Sequence, residues 1–159
     1  METIYLSGRR GLVVGVANAD SLAWSAAKHF RNAGAELAMT YYNEKARPFV
    51  APLAEQVQAQ LLPFIDDVAS EMAQADVLIC RAGASTVCEI SAVGVAAIFV
   101  PFPFAVDDHQ SANARFLTEA GGALLCPQKD LKPQGLAAQL LAFDRARLMA
   151  YAIQSKKQE

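Results

Sequence analysis

Short apolar runs alternate with segments of helical spacing along the whole chain. GLVVGVA (11–17) reads as a buried strand, and SLAWSAAKHFRNAG (21–34) as a helix closed by glycine. AELAMTYY (35–42) predicts a second strand, and residues 44–59 a helix whose first turns Pro48 and Pro52 disturb. QLLPFI (60–65) is a third strand, placed at a sheet edge by Pro63. DDVASEMAQA (66–75) predicts a helix capped by Asp66 or Asp67, and DVLICRA (76–82) a fourth strand. A short helix over 86–93 ends at Gly94, and AAIFVPF (96–102) is a fifth strand. A helix over 108–120 is closed by Gly121 and Gly122, and GALLCP (122–127) is the sixth strand. From Leu131 the pattern is helical, ending in the polar tail QSKKQE.

Six apolar strands separated by helices predict right-handed βαβ units on one parallel sheet. The expected fold is α/β: a single Rossmann-like domain over residues 1–159, a three-layer doubly wound sheet in the order 3-2-1-4-5-6. That order puts strand one beside strand four, and both runs are apolar on both faces, as central strands require. Ligands of such sheets sit at the carboxyl ends of the strands, near this switch point. The stretch CRAGASTVCEISAVG (80–94) falls there.

Composition narrows the classes. With 53% hydrophobic and 19% charged residues among 159, the chain can bury a full core. A net charge of −2 without a long basic run gives no footprint for nucleic acid or an anionic membrane. Cys80, Cys88 and Cys126 lack CxxC spacing, so they read as reduced core cysteines, which predicts a cytoplasmic setting. The start METIYLSGRRG lacks the apolar block of a signal peptide. The apolar run 93–106 is broken by Pro101 and Pro103 and is too short to span a bilayer.

The candidate chemistry sits in two places. Gly15 follows strand one, with Ser21 and Leu22 opening the next helix; a tight turn and an N-cap explain the first two without a ligand. Gly83 opens the helix after strand four, a phosphate-binding arrangement in many folds, and Glu89 follows six residues later. Thr86 and Glu89 also form a T-x-x-E capping box, which accounts for both structurally. Arg81 is open to pairing with a carboxylate, His109 to a surface role, and Asn113 to capping or closing the loop after Pro103. Asp66–Asp67 and Asp107–Asp108 each begin a predicted helix, where acids favour the dipole, so no metal site is expected. Trp24, His29 and Phe30 have the spacing of a packing face. No Ser-His-Asp arrangement can be defended from residue order, so no catalytic residue is expected.

Two resemblances go further. Residues 8–58, through GRRGLVVGVANADSLAWSAAKHFRNAGAELAMTYYNE and PLAEQV, resemble the start of bacterial enoyl-acyl-carrier-protein reductases, which use NADH. The resemblance implies that Gly15, Ser21 and Leu22 face a dinucleotide and that Asp67 and Val68 flank its adenine. The reductase's Tyr…Lys catalytic elements and substrate half are absent.

Residues 64–128 resemble the carboxyl-terminal half of the transferase family that moves N-acetylglucosamine from UDP onto lipid I in peptidoglycan synthesis. The segments are FIDDVASEMAQADVLICRAGASTVCEISAVG, AAIFVPFPFAVDDHQSANA and FLTEAGGALL, with the patterns Arg-x-Gly-x-x-Thr-x-x-Glu and His-Gln-x-x-Asn-Ala. Residues 129–159 resemble the family's last helices more weakly. The resemblance implies that the Ile65 backbone meets the uracil and that Arg81, Gly83, Ala84, Ser85 and Thr86 lie by the diphosphate. It also implies that Glu89 accepts from the ribose hydroxyls, Gln110 holds the sugar and Asn113 lies nearby.

The two resemblances meet at LLPFIDDVAS, which satisfies both. Together they predict an engineered chimera of a reductase-like half (1–60) and a transferase-like half (61–159), without evolved activity and not an enzyme. No cofactor is required and no specific partner is expected. Weak binding of a small nucleotide, UDP-N-acetylglucosamine or UDP, is the first alternative; an NAD-binding fragment or natural fusion is the second.

Overall fold

The computed structural model describes residues 6–41, 43–103 and 108–158, excluding the side chains of residues 133, 134 and 137. Among the described residues six strands and seven α-helices follow one another along the chain. They are β1 Arg10–Val13, α1 Leu22–Asn32, β2 Glu36–Thr40, α2 Arg47–Gln56, β3 Gln60–Leu62, α3 Val68–Gln74 and β4 Leu78–Cys80. There follow α4 Ala84–Val93, β5 Ala97–Phe99, α5 His109–Thr118, β6 Ala123–Leu125, α6 Pro133–Leu141 and α7 Arg145–Lys156. The architecture is α/β and Rossmann-like. The strands form two parallel sheets of three, ordered β1-β2-β3 and β4-β5-β6, instead of one sheet of six. The chain divides into two compact units, Met1–Asp66 and Asp67–Glu159.

In the first unit the central strand β2 buries Leu37 and Met39, while α1 turns Trp24 and Ala27 inward and α2 contributes Val50, Leu53 and Ala54. Pro48 falls in the first turn of α2, where its missing N–H costs nothing, and Pro52 lies inside the helix. β3 is an edge strand that stops before Pro63, as that residue predicts. Of the expected packing face on α1, Trp24 is core and Phe30 packs against it, but His29 is exposed and reaches the Ser25 carbonyl at 2.7 Å.

In the second unit β5 is central and wholly buried, which its apolar sequence requires. Val87 and Ile90 of α4 and Ala114 and Leu117 of α5 pack on it at helical spacing. β1 and β4 are end strands of their sheets, so residues expected to be buried on both faces are not: Leu12 is 39% and Ile79 38% exposed. Strand one is also shorter than its apolar run, because Gly15 takes φ +82° and turns the chain. The helical region after Leu131 breaks at residues 142–144, and Asp144 caps α7 by accepting the Arg147 N–H at 2.7 Å. The last turn of α7 docks on α4 through a buried hydroxyl pair. The Ser91 hydroxyl donates to the Ser155 carbonyl at 3.0 Å, and the Ser155 hydroxyl to the Ile90 carbonyl at 3.3 Å.

Among the described residues no helix is long and apolar enough to cross a membrane. All three cysteines are free thiols; Cys88 is exposed on α4, not in the core as expected.

Candidate functional site

The predicted residues fall in both units. In the first, Ser21 is the N-cap of α1: its hydroxyl accepts from the Trp24 N–H at 3.3 Å and donates to the Asn18 carbonyl at 2.9 Å. Leu22 follows it, exposed. Nothing lies within 4 Å of where a Cβ on Gly15 would sit, so its positive φ requires glycine, not crowding. Ile65 is half-buried beyond β3. In the second unit Asp67 caps α3, accepting from the Ser70 N–H at 3.0 Å, and Val68 is the first helical residue.

The remaining predicted residues converge where β4 enters α4. The helix starts two residues earlier than its pattern predicts, at Ala84, with Gly83 as N-cap and no side-chain capping bond. Thr86 and Glu89 therefore lie inside the helix, and the expected capping box does not form. The first-turn amides of Ala84, Ser85 and Thr86 have no intrahelical acceptor, and Gly83 offers no side chain to meet them. Glu89 is exposed, and its carboxylate makes no hydrogen bond or ion pair among the described residues.

Among the described residues Arg81 is not paired with a carboxylate. One guanidinium nitrogen, Nη1, donates to the carbonyls of Val100 and Pro101, each at 3.0 Å, and the guanidinium stands 5.5 Å from the Phe102 ring centroid. Partial burial lowers its pKa. The ladder explains the arrangement. The Val100 N–H still reaches the Cys80 carbonyl at 2.8 Å, but β4 has ended, and the side chain of Arg81 serves the carbonyls beyond.

Two carboxamides on one face of α5 complete the group. Gln110 Oε1 accepts the Phe102 N–H at 2.9 Å, and Asn113 Nδ2 donates to the Ala82 carbonyl at 3.1 Å. Asn113 thus ties α5 to the turn before α4; the loop after Pro103, which it was expected to cap or close, lies outside the described residues. Asp108 occupies the N-cap position of α5 at φ +51° without a side-chain bond, and Asp107 lies outside the described residues, as does Tyr42. Among the described residues no group of three or more His, Cys, Asp or Glu stands ready for a metal ion. The same loop lines a cavity of about 400 Å³ walled by Phe102, Asp108, Ser111, Arg115, Leu125 and Lys129, which none of the residues expected to meet a nucleotide lines.

The structure thus joins Arg81, Ala82, Gln110 and Asn113 through one hydrogen-bonded loop. The sequence reading missed the loop itself, the backbone of residues 100–102. Its signal was present in Pro101 and Pro103, which cannot donate and so end the ladder just where carbonyls need another donor.

A profile of the glycosyltransferase family 28 C-terminal domain matches residues 37–159. The UDP-N-acetylglucosamine--N-acetylmuramyl-(pentapeptide) pyrophosphoryl-undecaprenol N-acetylglucosamine transferase of Verminephrobacter eiseniae is 59% identical over 102 residues. That match takes in 64% of this chain and 28% of the relative, so the chain spans less than a third of the protein it matches. The crystal structure of Acinetobacter baumannii MurG is similar over 95% of this chain and 45% of its own, with TM-score 0.74 and 33% identity. The Bacillus cereus enoyl-acyl carrier protein reductase, solved with NADP+ and indole naphthyridinone, aligns over 89% of this chain and 82% of its own, at TM-score 0.50 and 16% identity. That likeness is one of fold alone and brings no cofactor with it.

These findings correct two expectations. The profile begins at residue 37, inside the reductase-like segment, and the MurG match covers 95% of the chain and so crosses the inferred join near residue 60. The chain is therefore not an engineered chimera without evolved activity. The expectation of a non-enzyme falls with it, since the relatives are transferases.

Proposed function

Because the chain belongs to the glycosyltransferase family 28 C-terminal domain family, we propose that it holds the donor of a transferase that passes N-acetylglucosamine from UDP to a lipid-linked acceptor. The acceptor and the transfer step belong to the whole enzyme, of which this chain corresponds to less than a third. One observation carries the reading: α4 opens on a glycine without a side-chain cap, and Glu89, two turns on, has no structural partner among the described residues.

The amides of Ala84, Ser85 and Thr86, with the positive end of the α4 dipole, suit a diphosphate. Arg81 stands beside that turn. An exposed carboxylate at Glu89 suits a ribose, whose two hydroxyls need acceptors. Gln110 is assigned to the sugar. When the glycosidic bond to the nucleotide breaks, negative charge grows on the departing diphosphate, and preorganised amides at a helix start stabilise such charge. UDP is itself the leaving group, so the chemistry calls for no redox cofactor.

The test is a titration of the isotope-labelled chain with UDP-N-acetylglucosamine, followed by amide NMR shifts. Shifts centred on residues 83–89 and 110–113 support the reading. A spectrum unmoved at millimolar ligand rejects it.

A further inference from the structure

Taking the proposed donor site as given, we infer that Arg81 is a positioning residue rather than a phosphate ligand. It sets the loop 100–102 so that Gln110 meets the sugar as a hydrogen-bond donor. Nη1 of Arg81 is committed to the Val100 and Pro101 carbonyls at 3.0 Å, and the guanidinium faces the Phe102 ring. A guanidinium fastened to two carbonyls keeps its charge but has lost the freedom to turn toward a ligand. What it fixes is the backbone that leads into the Phe102 N–H.

That N–H then fixes Gln110. A backbone N–H can only donate, so the side-chain atom it meets at 2.9 Å is the carbonyl oxygen of the amide. The Nε2 group keeps two N–H donors, with no partner among the described residues. A carboxamide in the open can present either end to a sugar hydroxyl; this one presents only its donor end. Asn113, three residues on, is fixed in the opposite sense: its amino group is used on the Ala82 carbonyl at 3.1 Å, and its oxygen remains to accept. α5 thus offers one donor and one acceptor in fixed order, a pattern that discriminates among hydroxyl arrangements better than two rotatable amides.

The experiment has a free-protein arm and a ligand arm, both on this chain. In the free protein, the Phe102 amide resonance should move and exchange faster in Arg81→Met and in Gln110→Leu, and stay protected in Gln110→Glu, whose carboxylate still accepts. In the ligand arm, UDP and UDP-N-acetylglucosamine are titrated in parallel. The wild-type chain should prefer the sugar nucleotide by about two- to twelvefold, the worth of one neutral hydrogen bond. Arg81→Met, Gln110→Leu and Gln110→Glu should each erase that preference while leaving UDP affinity in place.

Loss of UDP affinity in Arg81→Met, equal to its loss of UDP-N-acetylglucosamine affinity, would make Arg81 a phosphate ligand and overturn the inference. So would a sugar preference retained in Gln110→Glu, a variant that leaves Arg81 untouched and decides the matter if Arg81→Met does not fold. Equal wild-type affinity for both nucleotides overturns the inference but keeps the donor-site reading. If the wild-type chain binds neither nucleotide, that reading fails and the sugar contact with it, and the Phe102 amide alone decides the positioning role.

Discussion

Replacing Gly122 by alanine should loosen the helix that supports the site. A Cβ at Gly122 would lie 2.7 Å from the Ser155 nitrogen, 2.8 Å from its Cα and 3.2 Å from its Cβ. Two of these are backbone atoms in the last turn of α7, so no rotamer change relieves the clash; the turn has to move. Such overpacking costs about 1–3 kcal/mol. Ser155 is fully buried, and its carbonyl and hydroxyl make the two bonds that fasten α7 to Ser91 and Ile90 of α4. Displacing it forfeits up to about 1–3 kcal/mol more, at about 0.5–1.5 for each bond. Urea unfolding followed by circular dichroism should show a lower midpoint with an unchanged slope. Amide exchange should speed up at residues 90–94 and 152–156. A midpoint equal to the parent's would show that α7 does not lie against Gly122, and the account of how α4 is held would fail.

Other substitutions test other statements. Glu89→Ala should change stability by less than about 0.5 kcal/mol in the same urea assay, since the carboxylate is exposed and caps nothing; a loss near 1 kcal/mol, the size of a lost cap, would restore the capping box. Gly15→Ala should cost about 1–2 kcal/mol from its φ of +82° alone, and Gly15→Asn less, both read from thermal melts. At neutral pH iodoacetamide should label the exposed Cys88 first, with Cys126, which is buried, and Cys80 following only on unfolding; mass spectrometry of the labelled peptides decides this. Burial pushes the Cys80 thiol up to about 12. Above the ordinary thiol pKa of 9.0 the unfolded chain ionises while the fold stays protonated, so stability should fall as pH rises from there to about 12. Cys80→Ala should flatten that slope.

Much of this was legible because it is local. Ser21 and Asp67 cap helices as their positions require, Pro63 ends an edge strand, and Gly94 closes α4 in the left-handed region. Gly83 was harder. A glycine followed by Ala84 and Ser85 reads as a turn, so the helix appeared to begin at Thr86, and T-x-x-E then looked like a cap. Once the helix starts at Ala84, the same four residues lose their structural job, and Glu89 becomes the strongest candidate for a ligand contact. Arg81 and Gln110 were visible as residues but not as a pair. The loop that joins them is built from backbone groups whose need for partners depends on where β4 and β5 stop. The chimera was a misreading of the same kind. A glycine with positive φ after a strand and a serine capping the next helix recur in many nucleotide-binding folds because the turn needs them. The likeness to solved reductase structures is one of fold.

The most direct test of the donor site is calorimetric titration of UDP-N-acetylglucosamine into the wild-type chain and into Glu89→Ala. Losing a charge-assisted contact to the ribose costs about 1.5–3 kcal/mol, so the variant should bind roughly ten- to a hundredfold more weakly at unchanged stability. Equal affinity in the two proteins would contradict the assignment of Glu89 and of the α4 opening as the place where the nucleotide sits.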